Sequence, residues 1–243
     1  MTHQKPTVVL VHGAFAESAS WSGVVERLRA RSIEVVAAAN PLRDLPGDAA
    51  YLRDVIASID TPVVLVGHSY GGLVITEAAT GNDRVAALVY VCAFAPEAGE
   101  SALELSGKFP GSTLGEALTA YPITGGGNEF AIRPEAFHHQ FAADVPAATA
   151  AVMSATQRPV TELALTTGLP APTPAWKSVP SWFVFSDADL NIPVALHRFM
   201  AARAAAKGTR EVPGASHALS VSQPDAVAAS ILDAVRATTP AHA

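Results

Sequence analysis

Cysteine is almost absent from this sequence of 243 residues, since Cys92 is the only one. A disulfide within the chain is therefore impossible, and a cysteine-rich metal site is excluded. Charge is also sparse, because only 16% of the residues are Asp, Glu, Lys or Arg. The net charge is −6 and no basic run stands out, which argues against nucleic acid as a partner.

A long hydrophobic segment is missing from the N-terminus. The apolar stretch that follows Met1–Pro6 has about five or six residues, too few for a signal-peptide core or a membrane span. The sequence therefore predicts a cytoplasmic protein that is not bound to a membrane. Hydrophobic residues nevertheless make up 49% of the chain, enough for the core of one α/β domain.

Short apolar runs without alternation predict buried parallel strands, because such strands are covered on both faces. Six runs fit this description: Thr7–Val11, Ile33–Ala38, Pro62–Val66, Val85–Cys92, Ser181–Phe185 and Thr209–Val212. Helical spacing lies between them, as in Trp21, Val24, Val25 and Leu28. The order of strands and helices predicts an α/β three-layer sandwich with a mostly parallel six-stranded sheet.

The gap between the fourth and fifth strands, residues 97–179, is rich in proline and contains no convincing strand. We interpret it as a helical cap inserted over one end of the sheet, with residues 1–96 and 180–243 forming the core domain. Its large apolar side chains argue against a disordered linker. We expect some of these side chains to cover the site and others to pack the cap itself: Phe109, Phe130, Phe137, Phe141, Leu163, Leu165 and Trp176.

The strongest motif is G-x-S-x-G at Gly67–Gly71, placed between an apolar strand and a helix. A serine on such a sharp strand-to-helix turn is held in a strained conformation that exposes its hydroxyl group, and the glycines leave room for the neighbouring strand and helix. Ser69 is therefore the predicted nucleophile. The motif alone is common, and an ordinary β–α turn is the structural alternative.

The first strand ends in His12-Gly13-Ala14-Phe15. If the sheet order is second-first-third-fourth, this loop and the Ser69 turn meet at the switch point where ligands bind in such sheets. We expect the backbone N–H groups of Ala14 and Tyr70 to form an oxyanion hole. Phe15 is predicted to line the substrate pocket, and His12 to hold the loop.

A serine needs a histidine as base, and the chain has eight. We favour His217, because it follows the last strand and precedes the final helix, at the same sheet edge as Ser69. His68 flanks the nucleophile but is expected to point away from its hydroxyl group. His197 is interpreted as a surface residue of a helix. The remaining histidines are His12, the terminal His3 and His242, and the insertion residues His138 and His139.

The loop after the fifth strand offers two aspartates as the third member of a triad. Asp189 is favoured because it lies deeper in the loop, just before the turn into a helix. Asp187 is the alternative, with a turn-capping role as its other interpretation. Glu97, after the fourth strand, is a weaker candidate. The order Ser69, Asp189, His217 agrees with Ser…Asp…His.

These motifs make the sequence resemble the α/β-hydrolase superfamily over its whole length. Within it, the chain is similar to small bacterial esterases related to plant methyl-ester esterases and hydroxynitrile lyases. The match rests on His12–Ala14, Trp21, Gly67–Gly72 and the loops of Asp189 and His217.

The resemblance also favours Asp189 as the acid, with Ser186 at the glycine position of a G-x-x-D-like loop. Hydroxynitrile lyases of this group carry a lysine directly after the catalytic histidine and a threonine in the first-strand loop. Ala218 and Gly13 stand at those places, which argues against cyanohydrin cleavage.

The sequence therefore predicts a serine hydrolase, carboxylesterase-like, that acts on small apolar esters without a metal or organic cofactor. A lactonase or a cofactor-free perhydrolase with the same triad is the enzymatic alternative. A receptor of this fold that binds a hormone-like ligand and recruits a partner is the alternative from another class. The expected partner is a small-molecule ester or lactone, and the chain is expected to be a monomer or a homodimer.

Overall fold

A computed structural model describes residues 5–238 of the chain. The first part alternates strands and helices, with a short 3₁₀ helix at Ser18–Trp21 before the first α-helix. Its elements are β1 Thr7–Val11, α1 Ser22–Arg29, β2 Val35–Ala38, α2 Leu45–Ala57, β3 Val63–His68, α3 Gly71–Ala79 and β4 Val85–Val91. Every residue of β1 and β3 is buried, as expected of strands that are covered on both faces.

The insertion, residues 97–179, contains both helices and strands. Its elements are α4 Ala102–Ser106, α5 Leu114–Ala117, β5 Leu118–Pro122, β6 Asn128–Ile132, α6 Pro134–Phe141, α7 Ala147–Thr156, β7 Val160–Thr161, α8 Glu162–Thr166 and a 3₁₀ helix at Ala175–Lys177. The three strands form an antiparallel sheet in the order β5-β6-β7. The sequence did not predict this sheet, because β5 is largely exposed and β7 has only two residues.

The chain then returns to the main sheet. The last elements are β8 Ser181–Ser186, α9 Val194–Arg203, β9 Gly208–Val212, α10 Leu219–Ser222 and α11 Pro224–Thr238. The boundaries of the six core strands differ from the predicted ones by two residues at most. Among residues 5–238, no helix combines the length and the apolar character needed to cross a membrane.

The main sheet has six strands in the order β2-β1-β3-β4-β8-β9, and all of its pairings are parallel. The chain runs from β1 outward to β2 and then back past β1 to β3 and β4 on the other side. Because the crossovers are right-handed, α1 lies on one face of the sheet, and α2 and α3 lie on the other. The packing agrees, because α1 contacts α11 while α2 contacts α3. The predicted α/β three-layer fold is confirmed. The carboxyl ends of β1 and β3 lie side by side, which is where the site is built.

Candidate active site

Ser69 follows β3 and occupies the left-handed region with a φ of 54°. Neighbouring backbone crowds this turn. A Cβ atom on Gly67 would lie 2.6 Å from the carbonyl oxygen of Gly71, and one on Gly71 would lie 2.5 Å from that of Val11. Only glycine fits at these two positions. The Ser69 hydroxyl group makes no hydrogen bond to any other described residue, and Ser69 lines a cavity.

The loop after β1 lies directly against this turn. A Cβ atom on Gly13 would be 2.6 Å from the Cβ atom of Ser69 and 3.2 Å from the backbone nitrogen of Tyr70. Within residues 5–238, the backbone N–H groups of Ala14 and Tyr70 donate to no protein acceptor. The next N–H, that of Phe15, is bonded to the carbonyl oxygen of Arg158 at 3.0 Å. Two free donors therefore lie beside Ser69, at the predicted oxyanion positions.

His217 comes from the loop between β9 and α10 and lies next to the serine turn. Its ring centroid is 4.6 Å from that of His68, and its carbonyl oxygen accepts a hydrogen bond from Nε2 of His68 at 3.0 Å. Its Nδ1 lies 2.7 Å from Oδ2 of Asp189. The other ring nitrogen, Nε2, is buried and has no hydrogen-bond partner among the described residues.

Asp189 is buried and receives hydrogen bonds at both oxygens. Oδ1 accepts the backbone N–H groups of Asn191 at 2.7 Å and Ile192 at 2.9 Å, and Oδ2 faces His217 and His197. Burial by itself raises the pKa of this carboxyl group. The charge of His217 and the hydrogen bonds from the two histidines outweigh burial and hold the pKa well below its ordinary value. Asp189 is therefore ionised.

The two other candidate acids have different partners. Asp187 accepts the backbone N–H of Gly214 at 2.6 Å and so ties its loop to the loop that carries His217. Glu97 forms an ion pair with Lys177, with 2.8 Å between Oε1 and Nζ. Of the three acids, Asp189 alone contacts the His217 ring.

The remaining described histidines range from buried to exposed, with His139 on the surface. His12 is buried, its Nδ1 lies 2.9 Å from the carbonyl oxygen of Gly13, and burial lowers its pKa to about 4. His138 contacts the carbonyl oxygen of Val145. The prediction that His197 lies on the surface is wrong, because its side chain is completely buried. His3 and His242 lie outside the described residues.

A cavity of about 130 Å³ opens at Ser69. It is lined by the two predicted oxyanion residues, by Phe15 and by apolar side chains of both the core and the insertion. None of its lining residues is charged: Ala14, Phe15, Ser69, Tyr70, Phe94, Ala102, Leu103, Ser106, Ser112, Leu114, Gly115, Leu118, Leu165, Asn191 and Ile192. The volume is close to that of a cavity that holds a benzene ring.

The insertion contributes to this cavity through few of the residues expected to cover the site. Leu165 lines it, and Phe130 lines a more open depression that shares Leu103, Gly115, Leu118 and Leu165 with it. The other expected residues pack elsewhere or face solvent. Phe137 stacks on Phe141, Phe141 contacts His217, Phe109 contacts Phe199, Trp176 donates to the carbonyl oxygen of Pro96, and Leu163 is exposed.

The sequence matches the alpha/beta hydrolase family over residues 8–230. The chain belongs to this family. An alpha/beta hydrolase of Aspergillus novofumigatus called nvfD is 30% identical over 219 residues, which span 81% of this chain and 83% of that protein. A pyrethroid hydrolase of Sphingobium wenxiniae is 28% identical over 253 residues, 93% of this chain and 86% of the relative.

Among solved structures, a polyneuridine aldehyde esterase superimposes with a TM-score of 0.81 at 22% identity, covering 95% of this chain and 99% of that one. This likeness establishes the fold that the two chains share. The superfamily resemblance inferred from the motifs is thereby confirmed for this member of the alpha/beta hydrolase family.

His197 is the residue at this site that the sequence interpretation missed. A signal was present, because His197 shares its helix face with Met200 and Ala201, which an i, i+3, i+4 pattern marks as buried. Cys92, Asp189 and His197 also bring possible ligand atoms within 4.8 Å of one another. They do not fit a metal ion, since burial raises the pKa of the Cys92 thiol and both Asp189 oxygens already accept hydrogen bonds.

Proposed function

We propose that this protein is a serine hydrolase that cleaves small, largely apolar carboxylic esters through an acyl-enzyme on Ser69. The observation that carries the proposal is the pairing of Asp189 with His217 beside a serine whose hydroxyl group faces an uncharged cavity. The relatives described above, which are hydrolases by name, support the same reaction class.

The proposed steps use the groups that surround Ser69. Nε2 of His217 takes the proton from the Ser69 hydroxyl group as Oγ attacks the ester carbonyl carbon. The backbone N–H groups of Ala14 and Tyr70 donate to the oxyanion, each a contribution of roughly 3–4 kcal/mol in comparable enzymes. His217 then protonates the leaving alcohol. Water, deprotonated by His217, then attacks the acyl carbon, and the carboxylic acid leaves as Oγ of Ser69 takes the proton back from His217.

The lining of the cavity indicates the substrate class. Because no charged side chain lines it, a charged acyl group would lose its hydration without gaining a partner. A volume of about 130 Å³ suits a short alkyl chain or a single ring. We therefore expect p-nitrophenyl butyrate to be cleaved with a higher kcat/KM than p-nitrophenyl hemisuccinate, which is similar in length but carries a carboxylate.

The deciding experiment is Ser69→Ala. We expect loss of turnover with p-nitrophenyl butyrate and loss of labelling by a fluorophosphonate probe, with a thermal unfolding midpoint close to that of the parent protein. Ser112→Ala is the matched control, because Ser112 lines the same cavity and is given no chemical role. Retained turnover in Ser69→Ala would end the assignment. A panel of lactones assayed beside the esters separates an esterase from a lactonase.

A further inference from the structure

A second histidine contacts the carboxylate of the triad. His197 lies on α9, and its Nε2 is 3.3 Å from Oδ2 of Asp189. The same oxygen faces Nδ1 of His217 at 2.7 Å. The mechanism proposed above gives His197 no role, although its side chain is fully buried.

The protonation of His197 follows from its surroundings. Burial lowers the pKa of this histidine, so the ring is neutral and carries a single N–H. A carboxylate oxygen can only accept, and the proton therefore lies on the Nε2 atom that faces Asp189. The other nitrogen, Nδ1, has no partner among the described residues. It is then an unprotonated acceptor, so no buried N–H is left without an acceptor.

The ring of His197 packs against the strand that leads to Asp189. It stacks on Phe185 with 5.0 Å between the ring centroids and 11° between the planes. Phe185 belongs to β8, and the loop after β8 carries Asp189. The donor and the acceptor are therefore positioned by the same strand.

We propose that His197 is a positioning residue for the triad, acting through Asp189. By donating to Oδ2, it fixes the carboxylate in the orientation that accepts the Nδ1–H of His217. It also shares the negative charge of that oxygen, which weakens the attraction of the carboxylate for a second proton on His217. The orientation and charge of the carboxylate in turn decide how well His217 is placed to accept the proton of Ser69. This inference rests on the proposed function.

Other titratable groups around the three residues have hydrogen-bond or ion-pair partners other than His197. His68 on β3 is neutral, since burial lowers its pKa to about 3, and Cys92 after β4 is a thiol whose pKa burial raises. Asp144 of the insertion accepts from Ser216, and Glu211 of β9 is paired with Arg198 of α9 at 2.6 Å. A change in pH dependence therefore reports on His197 itself.

The test compares His197→Phe, which keeps an aromatic ring on Phe185 but has no donor, with His197→Gln, which keeps an N–H. For His197→Phe we expect kcat on p-nitrophenyl butyrate to fall about 10-fold. Removing the charge of a triad aspartate altogether costs about 10⁴-fold, whereas this variant removes only one of several hydrogen-bond donors to the Asp189 carboxylate. KM should change by less than about 2-fold, since His197 does not line the cavity. The acid limb of the kcat/KM profile should move to higher pH.

His197→Gln should have a kcat close to that of the parent protein, and the acid limb of its kcat/KM profile should lie close to the parent position. A His197→Phe protein with unchanged kcat and pH profile would overturn the inference. Equal losses in both variants, with lowered thermal midpoints, would mean that His197 only packs, and would overturn it too. If His197→Phe does not fold, His197→Asn, whose amide is too short to reach Asp189, takes its place.

An NMR measurement keeps this inference separate from the proposed function. In ¹⁵N-histidine-labelled protein, the Nδ1–H proton resonance of His217 reports its hydrogen bond to Asp189 and is measured without any substrate. We expect this resonance to change position in His197→Phe and to return in His197→Gln. An active esterase in which the resonance is the same in all variants would overturn the inference alone, whereas a changed resonance in a protein without esterase activity would overturn the proposed function alone.

Discussion

At the scale of single residues, backbone strain gathers at the ends of three neighbouring strands. Phe15 follows β1, Ser69 follows β3 and Cys92 follows β4, and all three have positive φ values without being glycine. A left-handed non-glycine residue costs roughly 1–2 kcal/mol. Strain of this kind persists where the surroundings over-determine it, and functional sites are common among such places. Here it surrounds the serine that we propose as the nucleophile.

The choice between two aspartates is also made at this scale. Asp189→Asn keeps the shape of the side chain but removes the charge that faces His217, and we expect kcat to fall by about 10⁴-fold. Asp187→Asn keeps an oxygen that can accept from Gly214 and should lower kcat by less than about 10-fold. Steady-state kinetics on one ester provide the comparison. The reverse order of effects would make Asp187 the acid.

At the scale of elements, the site depends on how closely the β1 loop approaches the β3–α3 turn. The two strands pair in parallel up to Val11 opposite Gly67, so their loops leave the sheet side by side. The insertion holds the outer side of this arrangement. The backbone N–H of Phe15 donates a hydrogen bond to the carbonyl oxygen of Arg158. The backbone N–H of Ala218 donates one to the carbonyl oxygen of Phe141. Loops that would otherwise move independently are thereby tied together.

Gly13→Ala tests this close approach. The new methyl group would lie 2.6 Å from the Cβ atom of Ser69 and 2.7 Å from the His68 carbonyl oxygen, so the loop must shift away from the serine. We expect kcat to fall at least about 100-fold, comparable with the loss of one oxyanion donor, together with a lower thermal midpoint.

The matched control for that variant is Gly115→Ala, on α5. Gly115 lines the same cavity, but a Cβ atom there meets nothing within 4 Å. This protein should keep its kcat on a short ester and its thermal midpoint. A Gly13→Ala enzyme as active as Gly115→Ala would show that the approach of the β1 loop does not matter for turnover.

At the scale of the whole molecule, three of the described histidines are buried in the core with lowered pKa values. They are His12, His68 and His197, and burial is the largest cause for each. The folded protein keeps these rings neutral, whereas an unfolded chain protonates them near the ordinary value of 6.5. The fold that builds the site therefore also makes stability depend on pH.

We expect the free energy of unfolding to be greatest above pH 6.5 and to fall as the pH is lowered toward 4. In that window the unfolded chain binds a proton at each of these histidines. In the folded protein, His12 and His68 stay neutral, because their pKa values are lowered to about 4 and about 3, respectively. Each such histidine contributes a slope of up to about 1.4 kcal/mol per pH unit. Urea unfolding at pH 7, 6 and 5 measures it. His12→Asn should give a shallower slope, and a flat profile in the parent protein would contradict this account.

The sequence by itself determined the α/β architecture, the six core strands and the G-x-S-x-G turn. These features depend on local signals: unbroken apolar runs, helical spacing and glycines at a tight turn. The candidate acid and base were also named from the loops after β8 and β9, because parallel strands deliver such loops to one edge of the sheet.

The tertiary structure alone decided the rest. It showed that Asp189 rather than Asp187 faces His217, that the insertion contains an antiparallel sheet, and that His197 is buried against Asp189. These features depend on contacts between residues distant in the chain, or on strands as short as β7, which carry no periodic signal. Burial of a single polar ring is set by what packs over it, and here that is Phe185 from the neighbouring strand.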